Sequence, residues 1–253
     1  MKKWVLLIVF AFSNFTWAAE LQISVENLQP AGGFFFTPVW AGFHDGTFDV
    51  FSAGEMASPE LIAIAEGGDV APLQALFAGN GVDTVVAPGS PFGPMGSSFA
   101  SSASAMVTVN PMMDRYFSYA SMIIPSNDAF IGNDNSMAYE IFNADGSFKG
   151  PLTIEVFANQ IWDAGSEVNN VAGGAAFSAN GGDSVDEALG IALHAGLNDF
   201  VGSGTANGEM ISTALGANAP IARLTINQVP EPNSGVLALS AGLGLLMLRR
   251  RRR

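Results

Sequence analysis

The chain has no cysteine among its 253 residues, which excludes a disulfide framework, a thiolate metal site and a cysteine nucleophile. It has two histidines, His44 and His194, and neither belongs to a His-Glu-x-x-His zinc motif. No Gly-x-Ser-x-Gly elbow and no phosphate-binding glycine loop is present. Positive charge is scarce where it matters. Of the ten Lys and Arg, seven stand at the two ends, so residues 19–228 keep only Arg115, Lys149 and Arg223 against 22 acids, a net charge of 3 − 22 = −19. A body that acidic repels nucleic acid and anionic lipid surfaces and attracts divalent cations.

Both ends are built differently from the middle. Lys2 and Lys3 precede an apolar run from Trp4 to Phe12, and Thr16-Trp17-Ala18 supplies a small-residue cleavage pattern, so residues 1–18 read as a secretory signal peptide. The run is too short to span a bilayer, and Leu21 to Leu28 alternates like a strand. At the other end, Pro230-Glu231-Pro232 leads into an apolar run from Gly235 to Leu248 and then five arginines, Arg249–Arg253. An arginine block stays on the cytoplasmic side and halts translocation, so residues 229–253 are expected to rest as a hydrophobic helix in the inner membrane.

Between the ends lie about 210 residues, enough for one domain with a sizeable core. Alternation in Leu21–Val25, Met106–Val109, Met137–Ile141 and Ala222–Ile226 predicts half-buried strands. Asp45-Gly46, Asn80-Gly81, Asp145-Gly146, Asn180-Gly181 and Asn207-Gly208 predict tight turns. Ser58 as cap, Pro59 in the first turn and Gly67-Gly68 as terminator predict a helix, and Pro72–Phe77 predicts a second short one. Gly, Ser and Asn crowd 87–104 and 169–184, which read as long loops at the ends of a β-sandwich. The expected class is all-β, an antiparallel sandwich over 19–228 with one or two short helices.

His44 is followed by Asp45, but neighbours in a strand point to opposite sides, so a structural histidine is expected rather than an acid–base pair. His194 follows Ile191-Ala192-Leu193 and reads as a hydrogen-bonded histidine at a strand end. Phe34-Phe35-Phe36, Trp40 and Phe43 could form a sugar-stacking surface, but Pro38 interrupts them and core packing is the stronger expectation. The acids are numerous enough that some pair must stand at glycosidase spacing, which keeps an envelope glycan hydrolase as the alternative function.

Four ordered phrases are more specific. Thr37–Gly46, Ala57–Leu61 with Ala65–Gly68, Ser121-Met122-Ile123-Ile124-Pro125-Ser126-Asn127-Asp128-Ala129-Phe130-Ile131-Gly132, and Ile161-Trp162-Asp163-Ala164-Gly165-Ser166-Glu167 together resemble the bacterial, stand-alone members of the spondin N-terminal domain family, across roughly 21–227. The tail, with its Pro-Glu-Pro motif, short apolar helix and arginine cluster, resembles the PEP-CTERM sorting signal of Gram-negative bacteria. These resemblances imply a sandwich similar to a C2 domain, a calcium ion at one end, and a non-enzymatic role in extracellular adhesion. They also imply an exosortase-type protease that removes the tail, and partners such as exopolysaccharide or a cell-surface ligand. By motif, Asp128 and Asp163 carry over as calcium ligands. The family's third ligand, a glutamate, has no match here, and the aligned neighbourhood offers Asn110 and Asp114.

Overall fold

In the computed structural model, residues 18–194 and 196–230 are described. The signal segment, Glu231 and Pro232 of the sorting motif and the apolar-arginine tail therefore lie outside the described residues. Among the described residues no helix is long and apolar enough to cross a membrane.

The strands run in chain order β1 (Ala19–Asn27), β2 (Phe35–Phe36), β3 (Val39–His44), β4 (Gly81–Val86), β5 (Ser102–Val109), β6 (Tyr116–Ile124), β7 (Ala129–Gly132), β8 (Tyr139–Glu140), β9 (Leu152–Phe157), β10 (Trp162–Asp163), β11 (Ala192–Leu193) and β12 (Pro220–Gln228). Two helices, α1 (Pro59–Gly67) and α2 (Ala71–Phe77), fall between β3 and β4. One sheet has the order β5-β1-β12-β9, the other β11-β10-β7-β6-β3-β4, with β2 and β8 added to β6. Every pairing is antiparallel.

The two sheets bury their strands differently, and the reason lies in what covers them. In β1 the residues alternate, with Leu21, Ile23 and Val25 buried and Glu20, Gln22 and Glu26 exposed, because its outer face meets water. In β3 all six residues are buried. Val39, Ala41 and Phe43 face the space between the sheets, whereas Trp40 joins Leu61, Ile64, Leu73, Phe77 and Phe130 in a second apolar layer beneath α1 and α2. Each fully buried Phe or Leu in these layers contributes about 1.5–3 kcal/mol.

Phe34, Phe35, Phe36, Trp40 and Phe43 are all buried, so the aromatic cluster is core. Helix α1 begins where Ser58 accepts the Leu61 N–H at 3.2 Å. It ends at Gly68, whose φ of 65° lets its N–H reach Ile64 O at 2.8 Å while Asp69 N–H reaches Ala63 O at 3.0 Å.

Two local expectations need correcting. Met137–Ile141 is not one strand: Met137 N–H donates to Asn135 Oδ1 in a turn, and only Tyr139–Glu140 pairs with β6. Local side-chain capping by Asn135 competes with the ladder there. At Asn80-Gly81 the left-handed residue is Gly79, at φ 89°, because Gly81 already pairs with His44 as the first residue of β4.

Candidate metal centre

The corner between β6 and β7 is held from inside. Ser126 Oγ donates to Ile123 O at 2.6 Å and accepts from Ala129 N–H at 3.1 Å, which fixes a tight turn and leaves Asp128 fully buried. Strand β10 then pairs with β7 in a register that sets Asp163 opposite Ala129. The two aspartates, 35 residues apart in sequence, are brought together by that register.

A third carboxylate comes from the irregular segment after β10. Glu187 N–H donates to Ser166 O at 2.8 Å and Leu189 N–H to Gly165 O at 2.9 Å, so residues 185–189 run back along 165–168. Asp128, Asp163 and Glu187 thereby offer ligand oxygens that all lie within 4.8 Å of one another. Calcium–oxygen distances of about 2.3–2.6 Å allow two ligands of one ion to stand at most about 5 Å apart, so the three fit a single coordination sphere.

Asp128 is also densely hydrogen-bonded by protein donors. Its Oδ2 accepts from Ser166 N–H at 2.9 Å, Glu167 N–H at 3.1 Å and Ser166 Oγ at 3.3 Å, and its Oδ1 from the Asn169 amide at 2.5 Å. Burial, and after it the charge of Asp163, still pushes its pKa up to about 6 against these donors. Asn127 stitches the loop to the corner, donating to Gly173 O at 2.9 Å and accepting from Asn170 N–H at 3.1 Å.

No Lys or Arg among the described residues neutralises the cluster. Arg115 and Lys149 both engage Glu140, and Arg223 engages Glu155 and Glu26. Glu66, at the end of α1, adds negative charge nearby: burial raises its pKa, the Ser166 hydroxyl opposes that, and Glu167 and Asp186 add to it.

The chain belongs to the Spondin_N family. The family model matches residues 28–180, 153 of the 253 residues, so Asp128, Asp163 and their supporting corner lie inside the matched segment and Glu187 lies beyond it. No curated protein matches the chain. Membership of the Spondin_N family places the chain among proteins of extracellular binding and adhesion.

Asn110 and Asp114, which the resemblance offered for the third position, are elsewhere. They form the β5–β6 turn, where Asp114 Oδ2 accepts Asn110 N–H at 2.8 Å. The whole length of β6, roughly 25–30 Å at 3.3 Å per residue, separates that turn from Asp128. The third carboxylate of the cluster is Glu187.

His194 also stands nearer to the cluster than its sequence context indicated. Its Nδ1 accepts Gly196 N–H at 2.9 Å, and its Nε2 lies 3.7 Å from Asp163 Oδ2. Burial lowers its pKa while Asp163 acts the other way. His44 is structural: Nε2 shares a 3.0 Å hydrogen bond with Ser118 Oγ and Nδ1 accepts Gly46 N–H at 3.0 Å. Pro230 is the last described residue, two beyond β12.

Proposed function

We propose that this protein is an exported surface or matrix protein whose spondin-type sandwich binds one calcium ion through Asp128, Asp163 and Glu187 and uses that end of the domain for adhesion. The observation that carries the reading is the convergence of three carboxylates within 4.8 Å, one of them fully buried, with no Lys or Arg of the described residues beside them. Like charges so placed repel strongly, and a hard divalent cation with oxygen ligands relieves that repulsion. Protein oxygens leave part of a six- to eight-fold shell open for water or for an anionic group of a partner such as exopolysaccharide or a neighbouring cell's surface.

The role is binding rather than catalysis. Asp128 receives four hydrogen bonds and is shielded from solvent, a poor setting for a general acid that must reach a glycosidic oxygen. Delivery is by the signal peptide of residues 1–18 and by the 229–253 tail, held in the inner membrane until an exosortase-type protease cuts near Pro230-Glu231-Pro232.

Melting the purified chain with calcium or magnesium tests the metal reading. At ten times the dissociation constant, calcium adds about 1.4 kcal/mol to the native state. The part of the shift contributed by this site should be lost in Asp163→Asn and persist in a variant of a remote acid, Asp145→Asn. Equal shifts with magnesium, or an unchanged calcium shift in Asp163→Asn, would mean diffuse screening and overturn the assignment.

A further inference from the structure

The chain enters and leaves the sandwich at one end. Ala19, the first residue of β1, pairs with Val109, the last of β5, and Val229 N–H donates to Glu20 O at 2.8 Å. Asn27, at the other end of β1, stands roughly 25–30 Å away at about 3.3 Å per residue. Its amide donates to Phe34 O at 2.9 Å and Phe92 O at 3.2 Å, and Phe35 pairs with Ile124, which leads into the Asp128 corner. The carboxylate cluster is therefore at the end remote from Val229.

Beside the exit stands the β5–β6 turn, and its tip is apolar. Asn110 and Asp114 clamp it: Met112 N–H donates to Asn110 Oδ1 at 3.0 Å, Asp114 N–H to Asn110 O at 2.7 Å, and Asn110 N–H to Asp114 Oδ2 at 2.8 Å. Met112 and Met113 are carried outward on this frame, 45% and 58% exposed. Met137, also exposed, lies at the same end beside Gly46 and Tyr116. Turn tips ordinarily carry Gly, Asn, Asp or Ser, so two adjacent long apolar side chains held out by a rigid clamp form a surface without a partner in the domain.

Chain length sets what that surface faces. From Val229 to Gly235, where the apolar run 235–248 begins, is six residues, at most about 20 Å. The turn lies two strand spacings, about 10 Å, to the side of Val229. We propose that the Met112–Met113 turn is a bilayer-contact surface: while the tail is in the membrane, both methionine side chains enter the headgroup layer of a zwitterionic leaflet and the Asp128 end faces away. The proposal rests on the membrane-held tail of the proposed function. Methionine suits such a contact, being unbranched and able to fill an irregular apolar boundary. Glu20 is exposed next to the exit, and exposed Asp45 shares a surface cavity with Met113, so an anionic leaflet would repel this end and a zwitterionic one would not.

The absence of cysteine allows single-site labelling. Met112→Cys, Met113→Cys and, as a control of comparable exposure near the Asp128 end, Met210→Cys are each made in the exported form, residues 19–253. An environment-sensitive fluorophore is attached, and the protein is reconstituted into phosphatidylcholine vesicles carrying a headgroup-level nitroxide quencher. All three positions are exposed, so the replacements leave folding intact, which a melt checks. Labels at 112 and 113 should shift to the blue and be quenched severalfold more than the label at 210. Vesicles that float with the protein while labels at 112 and 113 stay as aqueous as at 210 would overturn the contact and leave the tail reading standing. Equal quenching at all three sites would mean a body with no fixed orientation and would also overturn it. Protein that does not float with the vesicles would overturn the tail reading and this proposal with it.

Discussion

Asp128 and Asp163 hold one donor between them: the Asn169 amide nitrogen lies 2.5 Å from Asp128 Oδ1 and 3.1 Å from Asp163 Oδ2. Its orientation is fixed, because the same side chain accepts Asn127 N–H at 2.8 Å through its oxygen. The amide lies between the two carboxylates where a cation would bridge them.

Removing that donor should expose what it does. Asn169→Ala is expected to lower calcium-free stability by about 1–3 kcal/mol, the cost of leaving buried acceptors short of a partner. The stabilisation by calcium should rise at the same time. Denaturant melts with and without calcium check both halves.

Glu187 should act as a ligand without being part of the core. Glu187→Gln keeps the shape of the side chain and removes one of three charges, so calcium affinity should fall on the order of tenfold. Calcium-free stability should stay within about 0.5 kcal/mol of wild type, since the side chain is partly exposed. Isothermal titration calorimetry and calcium-free melts provide the two readings.

The pH response follows from Asp128. An ordinary aspartate loses its proton near 3.8, whereas folding moves Asp128 up to about 6. The native state therefore binds the proton more tightly than the unfolded chain. The stability so gained is complete below about pH 4 and disappears as pH rises through 6. Calcium binds the deprotonated group, so its stabilising effect should be small at pH 5 and grow through pH 7. Paired melts at pH 5, 6 and 7 measure this. A calcium effect that shrinks with rising pH contradicts it.

The layer beneath the helices should be costly to disturb. Trp40 is fully buried, packs edge-on against Phe77 with ring centroids 5.1 Å apart, and donates Nε1–H to Asp83 Oδ2 at 2.9 Å. Trp40→Ala should destabilise the domain by about 3–5 kcal/mol through the cavity it leaves. Urea unfolding should show an earlier midpoint with an unchanged slope.

Much of this architecture was legible in the sequence because water marks it. Leu21–Val25 and Ala222–Ile226 alternate since one face of their sheet is solvated, and Ser58-Pro59 with Gly67-Gly68 announces α1 in local chemistry. Strands β3 and β6 carry no such alternation, because helices cover their outer side and every position is apolar or internally bonded. Asp128 and Asp163 were legible through family motifs. Glu187 was not: it lies past the matched segment, in a loop whose placement depends on backbone bonds to Gly165 and Ser166 that no local pattern encodes.

Strand β12 leaves the domain between two neighbours, with seven paired positions toward β1 and six toward β9. Backbone bonds in such ladders lie across the strand axis. Tension transmitted along the chain at Val229 would load both ladders in shear, so their bonds would have to fail together instead of unzipping singly. The chain therefore leaves the sheet at Val229 from a strand held on both sides, and a load borne at the far end near Asp128 would be carried through both ladders.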